Sequence, residues 1–205
     1  MTSLNLSERN LIRLENEKDI LIAYPENGES KRFSLIGVIS LNCSGNQLTS
    51  LPLLPGKLKV LNCDNNQLTS LPLLPEGLEK LGCYKNQLTS LPLLPEELKE
   101  LYCSTNQLTS LPLLPRKLER LYCYNNQLTS LPLLPRKLKM LYCSYNPLKY
   151  VPFLRSRPQY LEVPESLRGS HSMENYQESY RTQEINRYLF LTFFTELDLQ
   201  LDFLV

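Results

Sequence analysis

Apolar and polar residues follow a fixed repeating pattern through the middle of the chain. The stretch Leu41–Pro55, which reads LNCSGNQLTSLPLLP, returns nearly unchanged every 20 residues, beginning again at Leu61, Leu81, Leu101 and Leu121. A sixth copy begins at Leu141 and then drifts away from the pattern. A short fixed period is typical of one structural unit that is stacked on copies of itself. The pattern therefore predicts a solenoid.

Each unit is expected to contain one short strand and an extended return. Leu61 and Cys63 flank the polar Asn62, and this alternation predicts a strand with one buried face. Stacked in register, such strands form a parallel sheet. The motif LPLLP that follows disfavours a helix, because each Pro fixes φ and restricts the residue before it. We therefore predict an extended or polyproline-like outer side, whose inward leucines are Leu48, Leu51, Leu54, Leu58 and their equivalents.

An asparagine marks the end of every predicted strand, at Asn46, Asn66, Asn86, Asn106, Asn126 and Asn146. A buried turn leaves backbone N–H and C=O groups that need hydrogen-bonding partners. An amide side chain both donates and accepts, so it can bond the backbone of its own turn and of the next one. These residues are predicted to form a structural ladder rather than a ligand site.

The repeating motif resembles the leucine-rich repeat, L-x-x-L-x-L-x-x-N-x-L, which is read here from Leu58 to Leu68. The 20-residue length and the LP-x-LP return are similar to the short repeats of bacterial effector proteins, and similar arrays occur in some large DNA viruses. The resemblance covers about residues 38–163. It implies a leucine-rich repeat solenoid with a parallel β-sheet on its concave face, which such proteins usually use to bind other proteins.

Three regions are expected: an N-terminal cap at 1–34, the repeat array at 35–163, and a linker with a C-terminal cap at 164–205. Caps are expected because an open solenoid exposes apolar surface at its ends. In the first region, Ser7 is predicted to open a short helix that turns Leu11, Ile12 and Leu14 inward. Asp19–Tyr24 and Lys31–Leu35 are predicted to form two paired strands around a turn.

The C-terminal region begins where the 20-residue pattern fades. Tyr160–Val163 is predicted to be a degenerate seventh strand, and Ser172–Thr195 to be helical. The alternating residues Leu197, Leu199, Leu201 and Phe203 then suggest a strand. So many large apolar residues are expected to fold back as a cap, with docking on a partner as the alternative.

Composition excludes several functions. The net charge is +1, so no overall field steers the chain to nucleic acid or to a membrane. The N-terminus has no signal-peptide pattern, and the longest apolar stretch is too short to span a bilayer. All six cysteines share one inward repeat position, where a thiol acts as a small hydrophobe and disulfide geometry is poor. This favours a reducing compartment, the cytoplasm, with a virion or a host cytosol as alternatives.

No motif for catalysis is present, so the sequence predicts a protein that is not an enzyme and that has no metal or cofactor. The one histidine, His171, lies in the expected linker, and there is no phosphate-binding loop or Cys/His cluster. Some similar bacterial effectors carry a ubiquitin-ligase domain with a catalytic Cys, but no Cys follows Cys143 here. The sequence favours a protein–protein interaction module, and the alternative is a structural or cement component of an assembly such as a viral particle.

Two sets of outward residues are candidate contact surfaces. Tyrosines cluster on the outward strand positions of the later repeats, at Tyr84, Tyr102, Tyr122, Tyr124, Tyr142 and Tyr145. Tyrosine is favoured at binding surfaces, although stacking that stabilises the sheet is the alternative.

The second set occupies the middle of LPLLP, at Leu53, Leu73, Leu93, Leu113, Leu133 and, in frame, Phe153. Adjacent side chains on an extended backbone point apart, so these residues face outward if Leu54 and its equivalents face the core. This outer row is a candidate for docking or self-association, and shielding by Pro rings or by the C-terminal tail is the alternative.

Charged residues alternate in sign from repeat to repeat. The series Lys59, Glu79, Lys99, Glu119 and Lys139 is predicted to pair across neighbouring units and to help fix the register. A margin after the second Pro is acidic in the middle of the array and basic later, at Arg116-Lys117 and Arg136-Lys137.

Overall fold

The computed structural model describes residues 2–152 and 158–167, which contain two sheets. The strands in chain order are β1 (Thr2–Asn5), β2 (Leu11–Glu17), β3 (Ile20–Pro25), β4 (Lys31–Ser34), β5 (Val38–Asn42), β6 (Val60–Asn62), β7 (Lys80–Gly82), β8 (Glu100–Tyr102), β9 (Arg120–Tyr122), β10 (Met140–Tyr142) and β11 (Tyr160–Glu162). A parallel sheet runs in the order β1-β5-β6-β7-β8-β9-β10-β11, and an antiparallel sheet in the order β2-β3-β4. A single 3-10 turn follows at Glu165–Leu167.

The parallel sheet confirms the predicted solenoid. Its strands pair in register, so that Leu61 lies beside Leu41 on one side and Leu81 on the other. The inward Leu and Cys of each regular repeat are buried, while the residues between them face outward. One sequence pattern therefore creates a continuous core along the stack.

The chain returns from each strand without a helix in any repeat that the structure describes completely, which confirms the extended outer side. Leu48 and Leu58 are fully buried, and Leu51 and Leu54 pack at the edge of the same core. The return closes after the second Pro, where Leu58 N donates to the carbonyl oxygen of Pro55 at 3.0 Å.

The asparagine ladder is present as predicted. Asn66 Nδ2 donates to the carbonyl oxygens of Cys43 and Cys63 at 3.0 and 3.1 Å, and its Oδ1 accepts from Leu48 N at 3.0 Å. The residue before each asparagine is left-handed, with φ of 52° at Asn65. This turn carries the chain inward, and the amide satisfies the backbone groups that the turn buries.

The predicted N-terminal helix is wrong, because its residues lie in β2 and in the turn before it, and the residues ahead of that turn extend the parallel sheet as β1. Ser3, Leu4 and Asn5 pair in parallel with Ser40, Leu41 and Asn42, whose sequence they repeat. An exposed sheet edge offers unpaired backbone groups, and β1 satisfies those of β5.

The residues assigned to that helix lie in β2 or in the turn before it. Asn46 Oδ1 accepts from Arg9 N and Leu11 N at 3.0 and 2.9 Å, so the ladder also holds this segment. Leu11 and Leu14 are buried as expected, but Ile12 is exposed. The hairpin predicted from Asp19 to Leu35 is confirmed as β3 and β4.

The seventh strand is confirmed as β11, which pairs in parallel with β10. The predicted helix at 172–195, the final strand at 197–203 and the outer-row residue Phe153 lie outside the described residues. In the described part of the chain, no helix has the length and apolar character needed to cross a membrane.

The six cysteines are buried free thiols that form a row through the core, as their inward position predicted. The Cys63 thiol donates to the carbonyl oxygen of Gly82 at 3.1 Å. Burial raises the pKa of Cys43 and Cys143 from the ordinary 9.0 to about 12 and that of the cysteines between them well above 9.0. These thiols are therefore inaccessible to solvent and stay in their neutral form at neutral pH.

Thiol labelling is expected to be slow in the native protein and to reach six groups after denaturation. Because burial raises the pKa of Cys43 and Cys143, the folded state favours their neutral thiols. Their contribution to the stability of the fold is complete below the thiol pKa of the unfolded chain, about 9, and is lost as the pH rises towards the folded pKa of about 12. Unfolding curves measured from pH 7 to 11 should show this alkaline loss of stability. Rapid native labelling at pH 8, or native disulfides found by mass spectrometry, would contradict the buried row.

Candidate functional site

Three tyrosines stack on the outward face of the parallel sheet. Tyr102, Tyr122 and Tyr142 occupy the same position in β8, β9 and β10. Their ring centroids are 4.8 and 4.6 Å apart, with interplanar angles of 20° and 8°. The strand register holds these residues side by side, and the rings fill the space between neighbouring strands. We call this group the tyrosine stack.

Charged side chains line one side of the tyrosine stack. Glu100 forms ion pairs with Arg120 and, at 3.0 Å, with Lys80, and it accepts a hydrogen bond from the Tyr102 hydroxyl at 2.9 Å. Burial raises the pKa of Glu100, but its hydrogen bonds and cationic neighbours outweigh burial and leave the pKa below its usual value. Lys80 Nζ also lies 5.1 Å from the centre of the Tyr102 ring, within the range of a cation–π contact.

The hydroxyls of Tyr102 and Tyr122 remain protonated at neutral pH. Burial, followed by the hydrogen bond to Glu100, raises the pKa of Tyr102 to about 12. Burial and the adjacent Tyr142 raise the pKa of Tyr122, whose hydroxyl donates to the Met140 sulfur at 3.3 Å. Tyr102 and Tyr122 therefore present neutral hydroxyls and ring edges.

A second aromatic pair lies beside the stack. Tyr84 and Tyr124 are two repeats apart, and their ring centroids are 6.4 Å from one another. They occupy the position that Ser104 holds in the repeat between them, and Ser104 is only 1% exposed. Its hydroxyl has no hydrogen-bonding partner among the described residues. Because the middle repeat carries the small Ser104 at this position, the rings of Tyr84 and Tyr124 can approach each other across it.

Tyr145 does not belong to either aromatic group. It occupies the left-handed turn position, with φ of 51°, and 77% of its surface is exposed. The structure therefore brings five of the six predicted tyrosines onto the sheet face and places the sixth at its margin.

The earlier repeats present a different surface. Gly82 takes the position of the stacked tyrosines, and the Asp64 carboxylate lies over it, accepting from Tyr84 N at 2.6 Å. A Cβ at Gly82 would lie 3.0 Å from an Asp64 oxygen, so a larger residue would displace this carboxylate. Asn42 and Asn62 complete a polar N-terminal half. The concave face is thus divided into a polar and an aromatic half.

The outer row is the most exposed apolar feature of the described chain. Leu53, Leu73, Leu93 and Leu113 are 73%, 78%, 81% and 83% exposed, and we call these four residues the outer leucine row. The outward direction expected from the LPLLP motif is therefore correct for these four. Leu133 continues the row but is partly buried.

Ion pairs cross between neighbouring repeats as the alternating charges predicted. Glu79 pairs with Lys59 at 2.7 Å and with Lys99 at 2.6 Å, and these hydrogen bonds lower its pKa to about 2. Glu119 pairs with Lys139 at 2.6 Å. Since these side chains are largely exposed, the pairs contribute little to stability and serve mainly to favour one register.

Sequence reasoning did not single out several residues that shape the concave face. Met140 accepts the Tyr122 hydroxyl, Ser104 makes room for the second aromatic pair, and Ser144 donates to Glu162 at 2.6 Å. The alternation of Tyr84, Ser104 and Tyr124 was a visible signal for the pair. The other two contacts depend on side-chain directions that the repeat pattern does not encode.

The chemistry of this face suits recognition. It offers hydroxyl donors, aromatic edges and an ion-paired carboxylate. Among residues 2–152 and 158–167, no cluster of His, Cys, Asp or Glu side chains is arranged to hold a metal ion. The six thiols lie in the core and do not reach this surface.

Solved structures of bacterial effector proteins are similar to this chain. YopM from Yersinia enterocolitica matches 70% of the chain at 32% sequence identity and a TM-score of 0.57. YopM from Yersinia pestis, described as a leucine-rich effector protein, matches 62% at 40% identity and a TM-score of 0.58. A Shigella effector leucine-rich repeat domain matches 85% at 30% identity and a TM-score of 0.61.

The extent of these matches differs between the relatives. The chain spans 74% of the Shigella domain but only 32% and 40% of the two YopM chains. No protein-family model and no curated protein sequence matches the chain. All three similar structures contain the solenoid described above, and the Yersinia pestis and Shigella structures are named as an effector protein and an effector domain.

Proposed function

The chain belongs to the leucine-rich repeat proteins of the short, bacterial-effector-like type, and we propose that it is a non-catalytic module that binds a partner protein. A solenoid of this type displays an extended surface with little variation in its backbone, so binding depends on the outward side chains. All three relatives are longer than this chain, which spans less than half of the two YopM chains, and their own partners are not carried over.

The aromatic half of the concave face is the proposed contact surface. The observation that supports it is the tyrosine stack, in which three rings are held side by side by strand register. Side chains that are fixed before binding lose little conformational entropy when a partner docks. Tyr84, Tyr124 and the more peripheral Tyr145 extend the same surface, while Glu100, Lys80 and Arg120 supply polar contacts at its edge.

Tyr122 is the central residue of this surface, and its replacement is expected to weaken binding. Tyr122→Ser should raise the dissociation constant of the partner complex by tenfold or more, as is typical of a central aromatic contact. The free energy of unfolding should fall by only about 1 kcal/mol, because Tyr122 lies on the face of the sheet rather than in the core. Titration calorimetry with the captured partner and urea unfolding measure the two effects.

The partner is first identified with a photo-crosslinking amino acid placed at Tyr124, and a matched probe at Ile36 serves as the control. Ile36 is 73% exposed but lies in the turn before β5, away from the aromatic half. A protein that crosslinks at Tyr124 and not at Ile36 supports the concave surface. Equal capture at both positions, or loss of stability without loss of capture in the Tyr122 variant, would argue that the stack serves the fold alone.

The outer leucine row supports a second candidate function, that of a structural component in a larger assembly. A component of that kind makes contacts on more than one side, and the row gives the chain an apolar surface opposite the sheet. The row is proposed as a docking surface that includes Leu133 and Phe153 at its C-terminal end. Crosslinks from both Tyr124 and Leu93 to several assembly proteins would favour this function over a single-partner module.

We assign the chain to a reducing compartment, the cytoplasm, on the basis of its row of buried thiols. Delivery into a host cytosol and incorporation into a virion are compatible with the same chemistry. We also propose that residues 1–34 and 164–205 cap the array at 35–163. At the C-terminal end, Leu161 of β11 is 48% exposed, which leaves apolar surface for a cap to cover.

A further inference from the structure

Charged residues lie beside the outer leucine row, on the outer side of each repeat. They occupy the two positions after the second Pro and form a margin that is negative at Glu76, Glu96 and Glu97 and positive at Arg116, Lys117, Arg136 and Lys137. All of these except Glu97 are exposed. Lys57, at the N-terminal end of the margin, is positive as well, so the sign changes between Lys57 and Glu76 and again between Glu97 and Arg116. The second change falls between Leu93 and Leu113, the two most exposed members of the row.

We propose that the outer leucine row binds a second copy of this chain in an antiparallel dimer, with a twofold axis that crosses the row at right angles between Leu93 and Leu113. This rests on the docking role proposed above for the row and adds its occupant and orientation. Such an axis reverses the direction of the second copy and keeps its charged margin on the same side. Leu93 of each copy then packs on Leu113 of the other, and Leu73 on Leu133.

Charge complementarity selects this arrangement. With the axis between repeats, Glu96 of one copy faces Arg116 of the other, and Glu76 faces Arg136 and Lys137. Glu97 and Lys117 pair with each other within each chain at 2.6 Å, so the contact between copies is argued from Glu96 and Arg116. An axis parallel to the row would instead place the two margins on opposite edges of the interface. A head-to-tail contact would not close and would give filaments. Only the crossing axis buries the leucines and places the acidic part of the margin against its basic part.

The interface is expected to be small. The sheet lines the inner side of a leucine-rich repeat solenoid, so the outer side is convex, and two convex surfaces touch over a limited length. The contact is therefore centred on Leu93 and Leu113 and falls at the low end of stable interfaces, below about 1,200 Å². We expect a dimer that forms reversibly at micromolar or higher concentrations.

A charge-swap experiment on the full chain tests the orientation. Sedimentation velocity at increasing concentration should show dimers for the unmodified protein. Glu96→Arg and Arg116→Glu each place like charges opposite one another, and each should raise the dimer dissociation constant at least about tenfold. An equal mixture of the two single variants should recover dimers, because Arg at 96 then faces Glu at 116 of the other copy, and Glu96 faces Arg116.

Recovery in the mixture separates contacts between copies from contacts within one chain. Residues 96 and 116 are also neighbours along the stack, but mixing cannot restore a contact within either variant. Lys57→Glu is the matched control, since it lies beyond the central contact and should leave the dimer unchanged. Replacing both Leu93 and Leu113 with Ser should abolish association while circular dichroism shows an intact fold.

Two outcomes would overturn the proposal in different ways. If the unmodified chain is monomeric at every concentration, the row has no second copy as its occupant. If dimers form and are lost with the leucine variant, but the mixture of charge variants does not recover them, the row is a docking surface and the antiparallel orientation is wrong.

Discussion

Replacing Leu101 with Ala is expected to lower the free energy of unfolding by about 2–5 kcal/mol, which is the usual loss for a buried Leu. Leu101 is the inward residue of β8, in the middle of the sheet, and none of its surface is exposed. Its neighbours in register are Leu81 and Leu121, which are also fully buried. The cavity left by Ala is thus surrounded by two rigid repeats that cannot collapse into it.

Leu93→Ala is the matched control, because it makes the same chemical change in the same part of the array. Leu93 is 81% exposed, so its replacement should change stability by no more than about 0.5 kcal/mol. Urea unfolding followed by circular dichroism measures both variants, at a protein concentration low enough to keep the chain monomeric. Similar losses in the two variants would mean that the outer row belongs to the core.

Replacing Asn66 with Ala should also lower the free energy of unfolding by about 2–5 kcal/mol, through lost hydrogen bonds rather than a cavity. Asn66 is only 9% exposed and bonds the backbone of two repeats. Without its side chain, Leu48 N loses its partner at a site closed to water, while the carbonyl oxygens of Cys43 and Cys63 each lose one of two bonds and keep those from Asn46 and Asn86. One unsatisfied buried N–H costs about 1–3 kcal/mol and each of the two lost hydrogen bonds about 0.5–1.5 kcal/mol, and together these account for the expected loss.

Gln67→Ala separates this effect from the loss of an ordinary polar side chain. Gln67 is the next residue and is exposed, and its backbone N–H still donates to the Leu48 carbonyl oxygen at 2.9 Å in either variant. We expect a change below about 0.5 kcal/mol. Equal effects of the two substitutions, measured by the same urea titration, would show that the ladder does not carry stability.

The repeat array could be predicted because the residues that determine it lie close together in the sequence and recur in every regular repeat. Leu61 and Cys63 alternate with polar residues, Asn66 follows at a fixed distance, and LPLLP excludes a helix. Each feature acts within one unit, and stacking copies in register multiplies it. The inward cysteines, the ladder and the outward Leu53 series all followed from this repetition.

The N-terminal segment could not be predicted in the same way. Ser7 is a good helix N-cap by its chemistry, and that local preference suggested a helix. The free edge of β5 offers unpaired backbone groups, and the Asn46 side chain beyond it offers a hydrogen-bond acceptor. The N-terminal segment bonds to both, and these bonds outweigh the local preference for a helix. The short match between Ser3-Leu4-Asn5 and Ser40-Leu41-Asn42 was the only sign of this in the sequence.

The same distinction between local sequence and tertiary contacts applies to the two candidate surfaces. The sequence by itself determined which residues face outward, because the strand period and the Pro positions fix the direction of each side chain within its repeat. Tertiary structure alone decided what those side chains do together: Tyr102, Tyr122 and Tyr142 stack, Tyr84 reaches Tyr124 across Ser104, and Tyr145 stands apart. The reason is physical, since these contacts join residues of different repeats, and their geometry depends on rotamers and on the size of the neighbours that the stacked sheet brings alongside.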